Sequence, residues 1–194
     1  MTTFIVIAVI VFVLVMIIGI SGNMKQKNFE NAEIEKLRSQ GIELTKQTKT
    51  FHGIIGIDQT NEKLVLIHSK LTVSKTEVFT FADIFSCELI RDGETIYKKS
   101  TTRTIGGAIV GGVLTGGVGA VIGGLSGGSK GKENIKNIEL KIVVRDLSNP
   151  THRFVFYESS SDNKALLDKL IKEAESWKDT LSLIIDMKDK QEDK

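Results

Sequence analysis

An α+β protein is predicted, opening with a transmembrane helix, continuing through seven antiparallel strands and closing with a long amphipathic helix. Three observations predict it. An apolar run without charge or proline fills Phe4 to Ile20. Short apolar runs separated by turn residues fill Phe51 to Tyr157, and apolar residues recur at steps of three and four from Ser161 onward.

As a helix, Phe4 to Ile20 would span roughly 26 Å, and Met1 to Thr3 with Ser21 and Gly22 extend it far enough to cross a bilayer core. No basic residue precedes the run, no Ala-x-Ala site follows it, and no cysteine follows that could carry a lipid, so residues 1–22 read as an uncleaved signal anchor. Lys25, Lys27, Lys36 and Arg38 all lie after the run and none before it. That bias puts the N-terminus outside and the rest of a single-pass chain in the cytoplasm.

Composition agrees. With 26 basic and 24 acidic residues the net charge is +2, which offers nucleic acid no strong field. Cys87 is the single cysteine, so no intramolecular disulfide can form, and a small buried hydrophobe is its expected role.

Residues 23–49 read as an amphipathic helix or linker. Phe29, Ala32, Ile34 and Leu37 give Asn28 to Gln40 a loosely helical spacing that Gly41 interrupts. A helix lying near the membrane surface or against the domain, and a solvated linker, both fit.

Residues 50–188 form the folded domain. Phe51 to Ile57 and Lys63 to His68 make a hairpin across the Asp58–Glu62 turn cluster. Strands follow at Glu77 to Phe81, Phe85 to Arg91 and Thr95 to Lys99, the last two joined by the strong hairpin turn Asp92-Gly93. Ile135 to Arg145 and His152 to Tyr157 complete the set, with a turn at Leu147 to Pro150. Leu167, Leu170, Ile171, Ala174, Trp177, Leu181, Ile184 and Ile185 then line one face of the terminal helix, which Ser161 or Asp162 can cap. Trp177 in that stripe reads as core.

Between two strands lies a glycine-rich insertion, residues 105–128. Gly107 and Gly111, Gly112 and Gly116, Gly119 and Gly123, and Gly123 and Gly127 stand in GxxxG spacing, the pattern of a glycine zipper that lets helix backbones approach closely. Residues 105–125 are uncharged and long enough for a second membrane-inserted segment. A single crossing would divide the sheet between two compartments, which leaves a re-entrant helical hairpin or a surface loop.

No chemistry-bearing constellation emerges. The Gly131-Lys132 pair lacks the Ser or Thr and the upstream glycine of a phosphate loop, and Gly117-Val118-Gly119 is not completed as a dinucleotide fingerprint. His52, His68 and His152 show no metal-ligand spacing, and no serine sits in a Gly-x-Ser-x-Gly context. The expectation is a non-enzymatic protein without catalytic residues, cofactor or metal.

Seven strands followed by one amphipathic helix resemble the pleckstrin-homology-like (PH-like) fold, a β-barrel or sandwich closed at one corner by that helix. The stretch Phe79-Thr80-Phe81-Ala82-Asp83-Ile84-Phe85-Ser86-Cys87-Glu88-Leu89-Ile90-Arg91-Asp92-Gly93-Glu94-Thr95 is similar to the middle of small bacterial PH-like domains found in prophage and cell-envelope proteins of Gram-positive bacteria. The resemblance spans residues 51–187. It implies a bacterial inner-membrane setting and a docking domain. Phosphoinositide-binding relatives carry basic residues in the first hairpin loop. The Asp58 to Lys63 turn, read here as that loop, has two acidic residues and one lysine, so a protein partner is expected rather than a lipid headgroup.

Two functions stand at this level. One is a membrane-anchored interaction module whose PH-like domain docks a protein partner at the inner membrane surface, in an envelope or prophage-related role. The other is a glycine-zipper-driven homo-oligomer or holin-like pore.

Overall fold

The structure is a computed structural model that describes residues 2–70, 74–100, 120–121, 135–159 and 164–192. It begins with α1, Thr2–Ser39, a single unbroken helix of 38 residues. The apolar run and the polar stretch behind it therefore share one axis. Gly41 ends the helix for a stated reason: its φ of +78° suits glycine, and it lets Ile42 N–H reach back to the Leu37 carbonyl at 2.9 Å, the closing bond of a Schellman turn.

Among the described residues, nine strands form two antiparallel sheets. The first contains β1 (Lys46–Thr50), β2 (Gly53–Asp58), β3 (Lys63–His68) and β4 (Lys75–Thr80) in sequential order. The second contains β5 (Ile84–Arg91), β6 (Glu94–Ser100), β7 (Ala120–Val121), β8 (Asn137–Val144) and β9 (Thr151–Glu158), in the order β7-β6-β5-β8-β9. All seven strands expected from the sequence are present, and two were not foreseen. One is β7, two residues of the glycine-rich stretch that pair in extended form with Tyr97 and Lys98. The other is β1, Lys-Gln-Thr-Lys-Thr, which has no apolar residue to betray it. An edge strand needs none when its partners are polar: Thr48 accepts from Trp177 Nε1 at 2.8 Å, and Thr50 donates to the Val155 carbonyl at 3.1 Å.

Because β1 precedes it, the Asp58 to Lys63 turn belongs to the second hairpin, and the first hairpin turns at Phe51-His52. Gly53 follows that turn with φ +143°, and a Cβ there would lie 1.8 Å from the Ile67 carbonyl oxygen, so only glycine allows β2 to pair with β3 at this end. The barrel of the expected fold is not closed. The two sheets share no backbone ladder, and among the described residues β1 meets β9 through the Thr50 hydroxyl.

Chain passage between the sheets is fixed at a 3₁₀ turn, Phe81–Asp83, held by a reciprocal capping box between Thr80 and Asp83. Arg145 N–H donates to the Asp83 carbonyl and Phe81 N–H to the Glu62 carbonyl, each at 2.8 Å, so both sheets are tied to this corner.

The open side is filled by α2, Leu167–Glu192, entered through a 3₁₀ turn at Lys164–Leu166; the expected caps Ser161 and Asp162 lie outside the described residues. Leu170, Ile171, Ala174, Trp177, Leu181, Ile184 and Ile185 are all buried, in one cluster with Leu64, Leu66, Leu89, Leu140, Phe154 and Phe156 from both sheets. The helix then clamps each margin with polar contacts. Toward β1, Lys46 lies over the Trp177 ring at 4.7 Å and donates to Thr180 at 2.7 Å; toward β6, Tyr97 and Ser182 hydroxyls meet at 2.9 Å. Cys87 is buried as expected from its isolation, and burial pushes its thiol up to about 12, which leaves it unreactive.

Trp177→Ala removes a wholly buried ring at the meeting point of both sheets and also leaves Thr48 without its indole donor. It should destabilise the domain by about 3–5 kcal/mol, measured by chemical unfolding of the full chain in micelles.

Candidate membrane-proximal site

One face of the first sheet joins the main core, and the other is covered by the second half of α1. Leu37 packs there with Ile54, Val65 and Ile67, and Phe29, Ile34, Ile42 and Leu44 close the cluster. This is why β2 is buried along its whole length and β3 has Leu64 to Ile67 fully buried: both faces of these strands are covered.

Polar groups fix where the helix sits. Glu30 is 1% exposed, yet its carboxylate accepts from Ser69 Oγ at 2.5 Å and from Gln26 Nε2 at 3.2 Å, and it pairs with Lys49. Gln26 Nε2 also donates to the Phe51 carbonyl at 2.9 Å. A buried carboxylate left without these partners would be costly, so the cluster selects one seating of α1 on the sheet. At the far end Asn61 Nδ2 donates to the Gly41 carbonyl at 2.9 Å. From Gln26 to Gly41, α1 and its exit thus run along the strands from the Phe51 turn to the Asp58 turn.

A second polar node joins the two sheets. Glu77 on β4 meets His68 Nε2 of β3 at 3.1 Å, His152 Nδ1 of β9 at 2.9 Å and Lys75 Nζ at 2.5 Å. His152 Nε2 also faces the Asn149 carbonyl at 2.9 Å, and its ring lies 4.5 Å from that of Phe79. Burial alone would raise the Glu77 carboxyl, but the Lys75 hydrogen bond and the charges of His152, Lys75 and His68 outweigh it and hold the group below the usual carboxylate range. Burial pushes the His68 imidazole down, and the neighbouring Glu77 only partly offsets that. On the outer face of the second sheet, Glu88 is held low in the same manner: burial would raise it, and the hydrogen bonds and charges of Lys98 and Lys141 prevail.

Sequence spacing could not reveal either node, since their members are separated by up to 84 positions between His68 and His152 (152 minus 68) and meet only through strand pairing. Among the described residues no group of His, Cys, Asp and Glu is arranged to hold a metal ion. The glycines in zipper spacing, Gly107, Gly111, Gly112, Gly116, Gly119, Gly123 and Gly127, lie outside the described residues. Their flanks are placed. The segment departs after Ser100, paired with Ser86, and the chain is recaptured by Asp92, whose carboxylate accepts from Lys136 N–H at 2.7 Å and Asn137 N–H at 2.9 Å. Asp92 and Gly93, with φ of +53° and +86°, form the turn that the sequence marked, so one residue serves both hairpin and recapture.

Residues 42–158 match a family described as glycine zipper containing PH domain. The chain is 30% identical over 176 residues to an SPbeta prophage-derived uncharacterized membrane protein, YomJ, of Bacillus subtilis strain 168, covering 82% of this chain and 75% of that one. It is 29% identical over 168 residues to a protein named immunity protein of Bacillus phage SPbeta, covering 80% of this chain and 81% of the other. No solved structure matches. The family description agrees with the resemblance read from Phe79 to Thr95 and with the zipper spacing; one relative is a prophage-derived membrane protein by name, and the other is named an immunity protein of a phage.

The shifted groups of the node between the sheets contribute to an acid response. Both Glu77 and His68 have folded values below their ordinary ones, so each contributes stability that is complete above its unfolded value and lost as pH falls through its folded value. Stability should therefore begin to fall below about pH 6.5 as His68 is forced to charge, and fall again below about pH 4.5 as Glu77 protonates. Glu77→Gln should be less stable at pH 7 and should show a smaller second step, the remainder coming from carboxylates such as Glu88 that are also held low. A pH series of unfolding midpoints checks both.

Proposed function

Given that the chain belongs to the family of glycine-zipper-containing PH domains, we propose that it is a membrane-tethered, non-enzymatic interaction module of a bacterial inner membrane. Its PH-like domain docks a protein partner at the cytoplasmic surface in an envelope or prophage-related role, for which we favour immunity because one similar protein, of a Bacillus phage, is named an immunity protein. The observation carrying this reading is α1. It is apolar enough to cross a membrane in its first half and is packed against the domain in its second, so the folded unit is presented at the bilayer in one orientation. Such presentation serves recognition: it limits the rotational freedom the domain must lose when it meets a membrane-bound partner.

A second reading rests on the GxxxG spacing between Gly107 and Gly127, which suits close helix packing between copies. In that case the insertion drives a homo-oligomer or pore, and the PH-like domain is its scaffold.

Complementation tests the first reading. Expressed in a host lysogen that lacks the SPbeta immunity protein, this chain should restore resistance to superinfection, and removal of residues 4–20 should abolish it. Unchanged plaque numbers with the full chain would sink the immunity role. Replacement of Gly112, Gly116, Gly119 and Gly123 by leucine separates the second reading. Loss of higher-order crosslinks in membranes supports an oligomer, while an unaltered crosslink pattern removes it. For orientation, an alkaline phosphatase fused after Lys194 should be inactive and a green fluorescent protein at the same place bright; the reverse would contradict the basic-flank argument.

A further inference from the structure

The end of the domain formed by the Phe51-His52 turn is placed at the membrane by α1 itself. Ile20 closes the apolar run, and Gln26 is the first α1 side chain bonded to the first sheet, through the Phe51 carbonyl and Ser69. Gln26 lies six helical steps beyond Ile20, a rise of roughly 9 Å. The polar layer of a bilayer leaflet is roughly 5–7 Å deep beyond the hydrocarbon, so the Phe51 turn falls at its outer boundary, and helix tilt brings it closer. There is no break in α1 to make the spacing adjustable, and the Glu30 cluster pins the contact.

The side chains at this end suit that level. Phe51 is an aromatic 40% exposed at a hairpin tip, a residue type at home among headgroups. Lys49 and Lys70 flank it, paired with Glu30 and Glu158 while keeping 56% and 42% of their side chains exposed. Lys25 and Lys27 stand on either side of Gln26 on an exposed stretch of α1. The opposite end of the molecule, at the β8–β9 turn, carries fully exposed Leu147 and lies away from α1's entry.

The geometry points to a second membrane contact: Phe51, with Lys49 and Lys70, rests on the lipid headgroups, so the domain lies against the bilayer instead of hanging from a tether. This rests on the anchor reading of α1 and names the bilayer surface itself as the partner of the Phe51 turn.

Site-directed quenching tests it in the full chain, reconstituted in nanodiscs of phosphatidylcholine and phosphatidylglycerol with a nitroxide-headgroup lipid. Bimane is attached to Phe51→Cys, to Lys70→Cys as a milder substitution at the same end, and to Leu147→Cys as the distal control. Buried Cys87 stays unlabelled, which the parent chain verifies. Several-fold stronger quenching at 51 and 70 than at 147 is expected. Quenching at 51 and 70 no greater than at 147, in protein that has entered the nanodisc, overturns this contact and leaves the anchor standing. Failure of the chain to enter nanodiscs at all overturns both.

Discussion

Two apolar faces on β2 and β3 constrain everything around them. A strand buried on one side can rest on a single layer, but Ile54, Ile55, Leu64, Val65, Leu66 and Ile67 are buried on both. Each face needs its own cover, because apolar area left in water forfeits roughly 25 cal/mol per Å². The inner cover is the second sheet with α2, and the outer cover is α1. A helix whose first half is apolar enough to cross a membrane thereby also covers the sheet with its second half.

The rest of the molecule deals with the consequences. Covering the outer face with a helix buries Glu30, and the chain meets that cost with Ser69, Gln26 and Lys49, which also fixes the seating of the helix. An open barrel leaves a gap between β1 and β6, and α2 fills it with Trp177 and then grips both rims with polar contacts. The sheets' remaining junction, from β4 to β9, is held by Glu77 between two histidines. Apolar packing sets the layers, and a few buried polar groups set their register. The glycine-rich insertion enters from one end of the second sheet and returns at the other, under Asp92, so its two ends are held by a rigid frame that any packing of the insertion must respect.

A relation between fold and role follows. A domain on a flexible tether samples many orientations relative to it, whereas here α1 is seated on the first sheet in one arrangement. The chain belongs to a family of glycine-zipper-containing PH domains, and it is similar to a prophage-derived membrane protein and to a phage immunity protein. A fixed seating of α1 also makes the two ends of the domain distinct, one beside the apolar half of α1 and one away from it.

Much of this was legible in local pattern. The membrane helix, seven of the strands, the Asp92-Gly93 turn, the helix stop at Gly41 and the burial of Trp177 all follow from periodicity and backbone preference, which are properties of neighbouring residues. The continuous apolar run Leu64 to Ile67 even carried the sign of two-sided burial, although nothing local could say what the second cover was. The polar strand β1 escaped detection because its threonines and lysines are satisfied by Trp177, Thr180 and Val155, partners that only folding brings near. The Glu30 lock and the Glu77 node escaped for the same reason. Each joins residues far apart in the chain whose proximity depends on strand register and helix docking, and a carboxylate in a sequence looks solvated until tertiary structure buries it. Sequence by itself determined which segment is long and apolar enough to cross a membrane and where both helices and seven of the strands lie. Tertiary structure decided that the second half of α1 packs on the domain, because only the assembled sheet presents a second apolar face for it to cover.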